Sequence, residues 1–183
     1  MMSQTSDSDR LLMPVSEHDH TQGGIDASVI LVEYGDYQCL SCGEVNRMIQ
    51  EIQQQIPLCF VFRHFPRTHL HPQAQKAAEA AEAAAAQNKF WQMHNTLFAN
   101  QSTLDNGYLL QYAHEIQLDI DPFLRHMTDH VHAKQITQDI ESGIQSGVSS
   151  TPALFINKIR YRDAWDMERL LIAIAQVKNS GVT

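Results

Sequence analysis

Nowhere in the 183-residue sequence is there an apolar run near the roughly eighteen residues that would suggest a membrane span. Basic residues are scarce as well: 13 Lys and Arg stand against 21 Asp and Glu, for a formal net charge of −8, and they form no cluster. A phosphate backbone or an anionic bilayer needs clustered cations, so both are excluded as partners. The opening "MMSQTSDSDRLLMPVSEHDH" lacks the positive start and long apolar core of a secretory leader, its only apolar patch being Leu11, Leu12 and Met13. The expectation is a cytoplasmic protein without membrane insertion, whose residues 1–14 form a disordered tail. Cysteine is limited to three residues, too few for a structural disulfide framework in a reducing compartment. A close pair among them is therefore expected to be catalytic or metal-binding.

What is present is the composition of a soluble globular chain, 43% hydrophobic and 19% charged, of a length suited to one domain or one domain with an insertion. "ASVILVEYG" (residues 27–35) is a nearly continuous β-branched run, the signature of a strand buried on both faces. From Cys39 the period changes: Val45, Met48, Ile49, Ile52 and Ile56 mark an amphipathic helix ended by Pro57. "LCFVFRHF" (residues 58–65) predicts a second strand and hence a parallel βαβ unit. The next eighty or so residues read as helical. A first helix is expected to start at His71-Pro72 and continue through "AQKAAEAAEAAAAQ". Another carries Phe90, Trp91, His94, Leu97 and Phe98 on one inward face, and a third is capped by Asp105. The last is expected to run unbroken from Asp121-Pro122 to about Gly147, with an inward stripe of Phe123, Met127, Ile136, Ile140 and Ile144. "TPALFINKIRY" then predicts a hairpin turning at Asn157-Lys158, where a left-handed Lys158 costs about 1 kcal/mol, before a closing amphipathic helix.

Cys39-Leu40-Ser41-Cys42 falls where the first strand gives way to the first helix. Unpaired N–H groups and the helix dipole favour a thiolate on the first sulfur, and the second, one turn in, is placed to resolve a mixed disulfide. Cys39 is the candidate nucleophile and Cys42 the candidate resolving thiol; the alternative is two inert buried cysteines. Glu33, inside the apolar strand run, is either tipped to solvent or buried with a raised pKa, able to take a proton from Cys42. Thr151-Pro152 opens the third strand, where a cis bond facing the dithiol would leave backbone groups free to pair with an extended substrate.

Metal chemistry was the natural rival. Cys39, Cys42, Cys59 and His64 have the superficial look of a Cys3His zinc site, but Cys59 and His64 point to opposite faces of a strand, so no metal site is expected. Cys59 reads as a buried small hydrophobe. His69 and His71 flank Leu70, and His126, His130 and His132 cluster, His126 and His130 at metal-sharing spacing; all read as solvated surface residues, and His94 as a hydrogen-bonded core residue.

With these pieces placed, the sequence resembles the DsbA-like thioredoxin-fold thiol-disulfide oxidoreductases. The resemblance is carried by "VILVEYGDYQCLSCG", "FVFRHFPRTHLHPQAQKAAEAAEAA", "KFWQMHNTLFANQ" and "SGVSSTPALFIN", in that order. It implies an α/β thioredoxin-like fold, with βαβ and ββα halves in residues 15–66 and 148–183 and an inserted all-helical domain in residues 67–147. It also implies the dithiol at Cys39 and Cys42, the buried acid at Glu33 and the cis-proline loop at Thr151 and Pro152, with no cofactor. The Leu-Ser between the cysteines departs from the more usual Pro with His or Tyr, which implies a less oxidising couple. Serines also stand before Thr151-Pro152 where glycine is more usual. Expected partners are protein or small-thiol disulfides and a redox partner that recycles the dithiol, in reducing or isomerising exchange. The competing function is a thioredoxin-fold binding or chaperone module with a non-catalytic cysteine pair.

Overall fold

In the computed structural model, which describes residues 10–180, a short strand precedes the βαβ unit read from the sequence. This β1 (His20–Gln22) is followed by β2 (Ile30–Gly35), α1 (Leu40–Gln55) and β3 (Cys59–His64). Five helices come next: α2 (Ala74–Ala85), α3 (Phe90–Ala99), α4 (Asn106–Glu115), α5 (Ile120–Thr128) and α6 (Ala133–Gln145). The chain closes with β4 (Ala153–Ile156), β5 (Ile159–Arg160) and α7 (Met167–Ser180). The sheet order is β1-β3-β2-β4-β5, with β2 and β3 parallel and the remaining pairs antiparallel. This is a thioredoxin-like α/β fold with a helical insertion. No helix among the described residues is long and apolar enough to cross a membrane.

Side-chain alternation divides the core between the two faces of the sheet. Leu31, Phe60, Phe62, Leu154 and Ile156 point to the face covered by α1, α7 and the helical insertion, the larger of two apolar clusters. Val32, Tyr34, Cys59, Val61 and Phe155 point to the other, smaller one, with Leu11, Phe65 and Val148. Cys59 is thus a core residue, and His64 lies on the opposite face, as their odd spacing requires. In α2 the alanines at 77, 78, 80, 81, 83 and 84 are all buried, which lets neighbouring helices approach on several sides.

Several local expectations need correction. Residues 10–14 are docked rather than disordered: Leu11 N–H donates to the Lys158 carbonyl, and Arg63 donates to the carbonyls of Met13 and Pro14. Residues 1–9 lie outside the described residues. β1 was not foreseen, since three residues carry no readable period. Its approach is pinned by the fork of Arg63 on Asp19, at 2.7 and 3.0 Å. Pro72 sits in a turn before α2, which starts at Ala74 after Gln73. The long helix expected from Asp121 is two helices: Asp119 caps α5, and the chain turns at His130, whose φ is 50°. Within α6 the inward stripe is shorter than expected: Ile136 is buried but Ile144, two turns on, is 60% exposed. Asp105 does cap α4, accepting from the N–H groups of Gly107 and Tyr108. The hairpin turns at Asn157 and Lys158, both at positive φ, and the Asn157 side chain ties it to Ile30 N–H and the Ser28 carbonyl.

Candidate active site

Three consecutive features of the chain, a strand end, a four-residue loop and a helix start, put Cys39 at the N-cap of α1. Its backbone is extended there, and its sulfur accepts from Cys42 N–H at 3.4 Å. This is the place an N-cap oxygen would take, so the helix supplies its unpaired donors and positive dipole end to a sulfur. Cys39 is 8% exposed and Cys42 is fully buried. A hydrogen bond from the Cys42 thiol, more than any other contact, holds the Cys39 pKa down at about 6, with Cys42 N–H and Thr151 adding to it; burial and the Asp36 carboxylate oppose them. Burial pushes the Cys42 thiol well up, as do its bond to Cys39 and the charge of Glu33. One sulfur is poised as a thiolate and the other keeps its proton.

Glu33 lies on the same sheet face, opposite Phe62 on one side and Leu154 on the other. It is fully buried and neither carboxyl oxygen has a hydrogen-bond partner among the described residues. Burial, reinforced by the Cys39 charge, raises its pKa to about 8. Of the two environments left open by the sequence, solvent-tipped or buried, the structure has the buried one. Thr151-Pro152 also reaches the dithiol: the peptide bond is cis, and Cys39 Sγ lies 3.6 Å from the Thr151 carbonyl oxygen. The five residues Glu33, Cys39, Cys42, Thr151 and Pro152 therefore converge from two strands and a helix start.

Sequence reasoning missed the residues that hold the loop in place. Asp36, buried, accepts from Gln38 N–H at 2.8 Å, Arg67 N–H at 2.8 Å and His71 Nδ1–H at 2.7 Å. Gln73 N–H donates to the Gln38 side-chain oxygen, and Gln101 donates to the carbonyls of Tyr37 and Cys39 at 2.9 and 2.7 Å. A Cβ at Gly43 would sit 2.2 Å from the Gln101 side-chain oxygen, so a larger residue there would displace Gln101 from these carbonyls. The helical insertion thus fixes the dithiol loop from three points. Asp36, His71 and Gln101 all stand in quoted motifs, but their partnerships are long-range contacts that no local pattern marks. Tyr37 packs on Phe62 and Phe98 and donates to His94 Nδ1, whose Nε2–H donates to Asn46. Burial holds the His94 pKa well below its ordinary value, so His94 is the hydrogen-bonded core residue expected.

The surface histidines pair differently from their spacing. His132 and His126 are in contact at 2.9 Å, whereas His130 reaches Glu79 at 2.7 Å. Cys59 stays out of reach of the dithiol's face, so the four-residue Cys-His set is not assembled.

Comparison with known proteins adds three findings. A family model described as thioredoxin matches residues 15–176. Na(+)/H(+) antiporter NhaA 3 of Salinispora tropica is 41% identical over 166 residues, which is 90% of this chain and 26% of that protein. Na(+)/H(+) antiporter NhaA 1 of Mycolicibacterium vanbaalenii is 38% identical over 170 residues, 28% of its length. The chain spans about a quarter of the length of these curated relatives. Among solved structures, alpha-DsbA1 of Wolbachia pipientis superposes with a TM-score of 0.81 at 21% identity, covering 97% of this chain and 98% of that one. Oxidised BdbD of Bacillus subtilis gives 0.77 at 22%, covering 87% and 92%. At such identities these two likenesses are of fold.

Proposed function

The chain belongs to the thioredoxin family, and from that premise we propose that it is a thiol-disulfide oxidoreductase working through Cys39 and Cys42. One observation carries the reading: an N-cap sulfur with its pKa lowered to about 6 sits one helical turn from a buried thiol, above a carboxyl group that has no hydrogen-bond partner among the described residues. A structural cysteine pair needs none of these features.

The Cys39 thiolate attacks one sulfur of a substrate disulfide; that S–S bond breaks, and the distal sulfur leaves as a thiolate that takes a proton from solvent. Glu33, ionised, accepts the proton of the Cys42 thiol. The Cys42 thiolate then attacks Cys39 Sγ, the mixed disulfide breaks, and the second substrate thiolate leaves. The substrate has gained two electrons and the chain holds a Cys39–Cys42 disulfide, which an external dithiol must reduce. Thr151 and Pro152 flank the attacked sulfur and offer backbone to an extended substrate.

The direction is reducing or isomerising, and the compartment cytoplasmic. A Cys39 pKa of about 6 supports the reducing direction, being nearer the ~7 of thioredoxin than the ~3.5 of DsbA. The antiporter relatives support a more specific partner. A module matched over 90% of its length inside cation-proton antiporter chains is one that functions joined to such a transporter, and as a separate chain it would act on one in trans. The test is insulin reduction with dithiothreitol by wild type and Cys39→Ser, with Cys42→Ser used to trap mixed disulfides in intact cells. Turnover lost in Cys39→Ser, with trapped membrane antiporter peptides, is the expected result. Equal inertness of wild type and variant, with no trapped partner, would leave the binding-module reading in its place.

A further inference from the structure

We infer that His20, His64 and Glu82 form a binding site for one divalent transition-metal ion of the zinc class, separate from the dithiol. The sequence offered no hint of it, because His20 and His64 stand 62 and 18 residues from Glu82. Strand pairing brings them together. β1 runs antiparallel to β3 with His20 opposite Phe62, so His64, two residues on, projects from the same face. Helix α2 carries Glu82 to meet both.

The geometry is convergent. His20 Nε2 and His64 Nε2 lie 2.7 and 2.8 Å from the same carboxylate oxygen, Glu82 Oε1, and the three donor atoms all lie within 4.8 Å of one another. Both imidazole planes are set by packing. His20 stacks on Phe90 at 3.5 Å between centroids, and His64 stands edge-on to Phe62 at 5.5 Å. Zinc takes such donors at ~2.0–2.2 Å, so ligation requires each nitrogen to draw back from the oxygen by only about 0.5 Å. His20 is 21% exposed at its side chain, which leaves an approach for the ion from solvent.

The donor set also selects the ion. Two imidazoles and one carboxylate suit zinc, cobalt or nickel, whereas magnesium and calcium want oxygen alone. Asp139, whose carboxylate accepts from His64 N–H at 2.9 Å, adds a second acidic group beside the site. One feature limits affinity: ligation through Nε2 puts the remaining ring proton of His64 on Nδ1, a buried atom with no partner among the described residues. Metal-binding histidines with an acceptor there bind about 10–100-fold tighter than those without, so this site is weaker than a structural zinc centre.

The experiment uses the full chain carrying Cys39→Ser and Cys42→Ser, so that the dithiol cannot ligate, titrated with Co2+ and then Zn2+. The expected result is one Co2+ per chain with the visible bands of a four-coordinate site lacking sulfur, displaced by Zn2+, with a Zn2+-dependent rise in melting temperature. His20→Ala and Glu82→Gln, added separately, should each weaken binding by about tenfold or more and remove the thermal shift. Far-UV circular dichroism checks that both remain folded; Glu82→Gln keeps an acceptor for one imidazole while ligating poorly. Absence of stoichiometric binding in the parent, or binding unchanged in both variants, overturns the site.

Discussion

Two glutamates buried in the same protein have opposite fates. Glu33, beneath the dithiol, is fully buried with no hydrogen-bond partner among the described residues, and its pKa rises to about 8. Glu82, under β1, is 5% exposed and accepts from two imidazoles, and its pKa falls well below the usual carboxylate range despite burial that acts the other way. Burial sets the cost of a charge and partners decide whether it is met. A carboxyl group left unmet holds a proton near neutral pH and can exchange it, as the redox centre requires. A carboxylate fully met joins the N-terminal strand to the helical insertion.

The sharpest contrast concerns which region carries the chemistry. Cys39→Ser should lower insulin and mixed-disulfide turnover by about three orders of magnitude or more while leaving far-UV circular dichroism unchanged. Next come stabilities of opposite sign, measured by urea unfolding of the reduced protein at pH 8.5. Glu82→Ala leaves the buried His64 imidazole and the partly exposed His20 imidazole unpaired and should destabilise by about 2–5 kcal/mol. Glu33→Gln removes an ionised group without partners and should stabilise by about 2–4 kcal/mol. Equal signs would erase the distinction between the two sites.

A smaller effect is kinetic. In Glu33→Gln, rapid-quench analysis should find the first attack by Cys39 little changed and resolution by Cys42 slowed about 10–100-fold, so that mixed disulfide accumulates. The smallest is a shape in pH. Glu33 titrates at about 8 folded against 4.5 as a free side chain, so its contribution to stability is complete below 4.5 and lost as pH rises through 8. Cys39 titrates at about 6 folded against 9.0, so its contribution is present above 9.0 and lost as pH falls through 6. The two oppose each other between 6 and 8. The stability of reduced wild type relative to Glu33→Gln should therefore fall from pH 4.5 to 8 and level off above it, the other titrating groups cancelling in the difference.

The fold was largely legible because its strongest signals are local. The buried β2 run, the α1 period, the alanine-rich α2 and the Asn157-Lys158 hairpin each declare themselves within a short window. Cys39, Cys42 and Thr151-Pro152 could be named for the same reason, since each stands at a strand end or helix start, and Glu33 because a carboxylate interrupts the apolar β2 run. The break between α5 and α6 escaped because His130 at positive φ belongs to no turn signature. β1 escaped because Asp19 and His20 gain their meaning only from Arg63, His64 and Glu82 across the fold. Gln101 is legible in neither way: any polar side chain at a helix end looks like it until Tyr37 and Cys39 are seen beneath it.

The central claim is that Cys39 and Cys42 form a reversible couple tuned toward reduction. Equilibration of the full chain with dithiothreitol and glutathione buffers, followed by alkylation and mass measurement, tests it most directly. The account predicts a single intramolecular disulfide and a potential closer to about −270 mV than to about −120 mV. A potential at the oxidising end, or no Cys39–Cys42 disulfide at any buffer ratio, would contradict it.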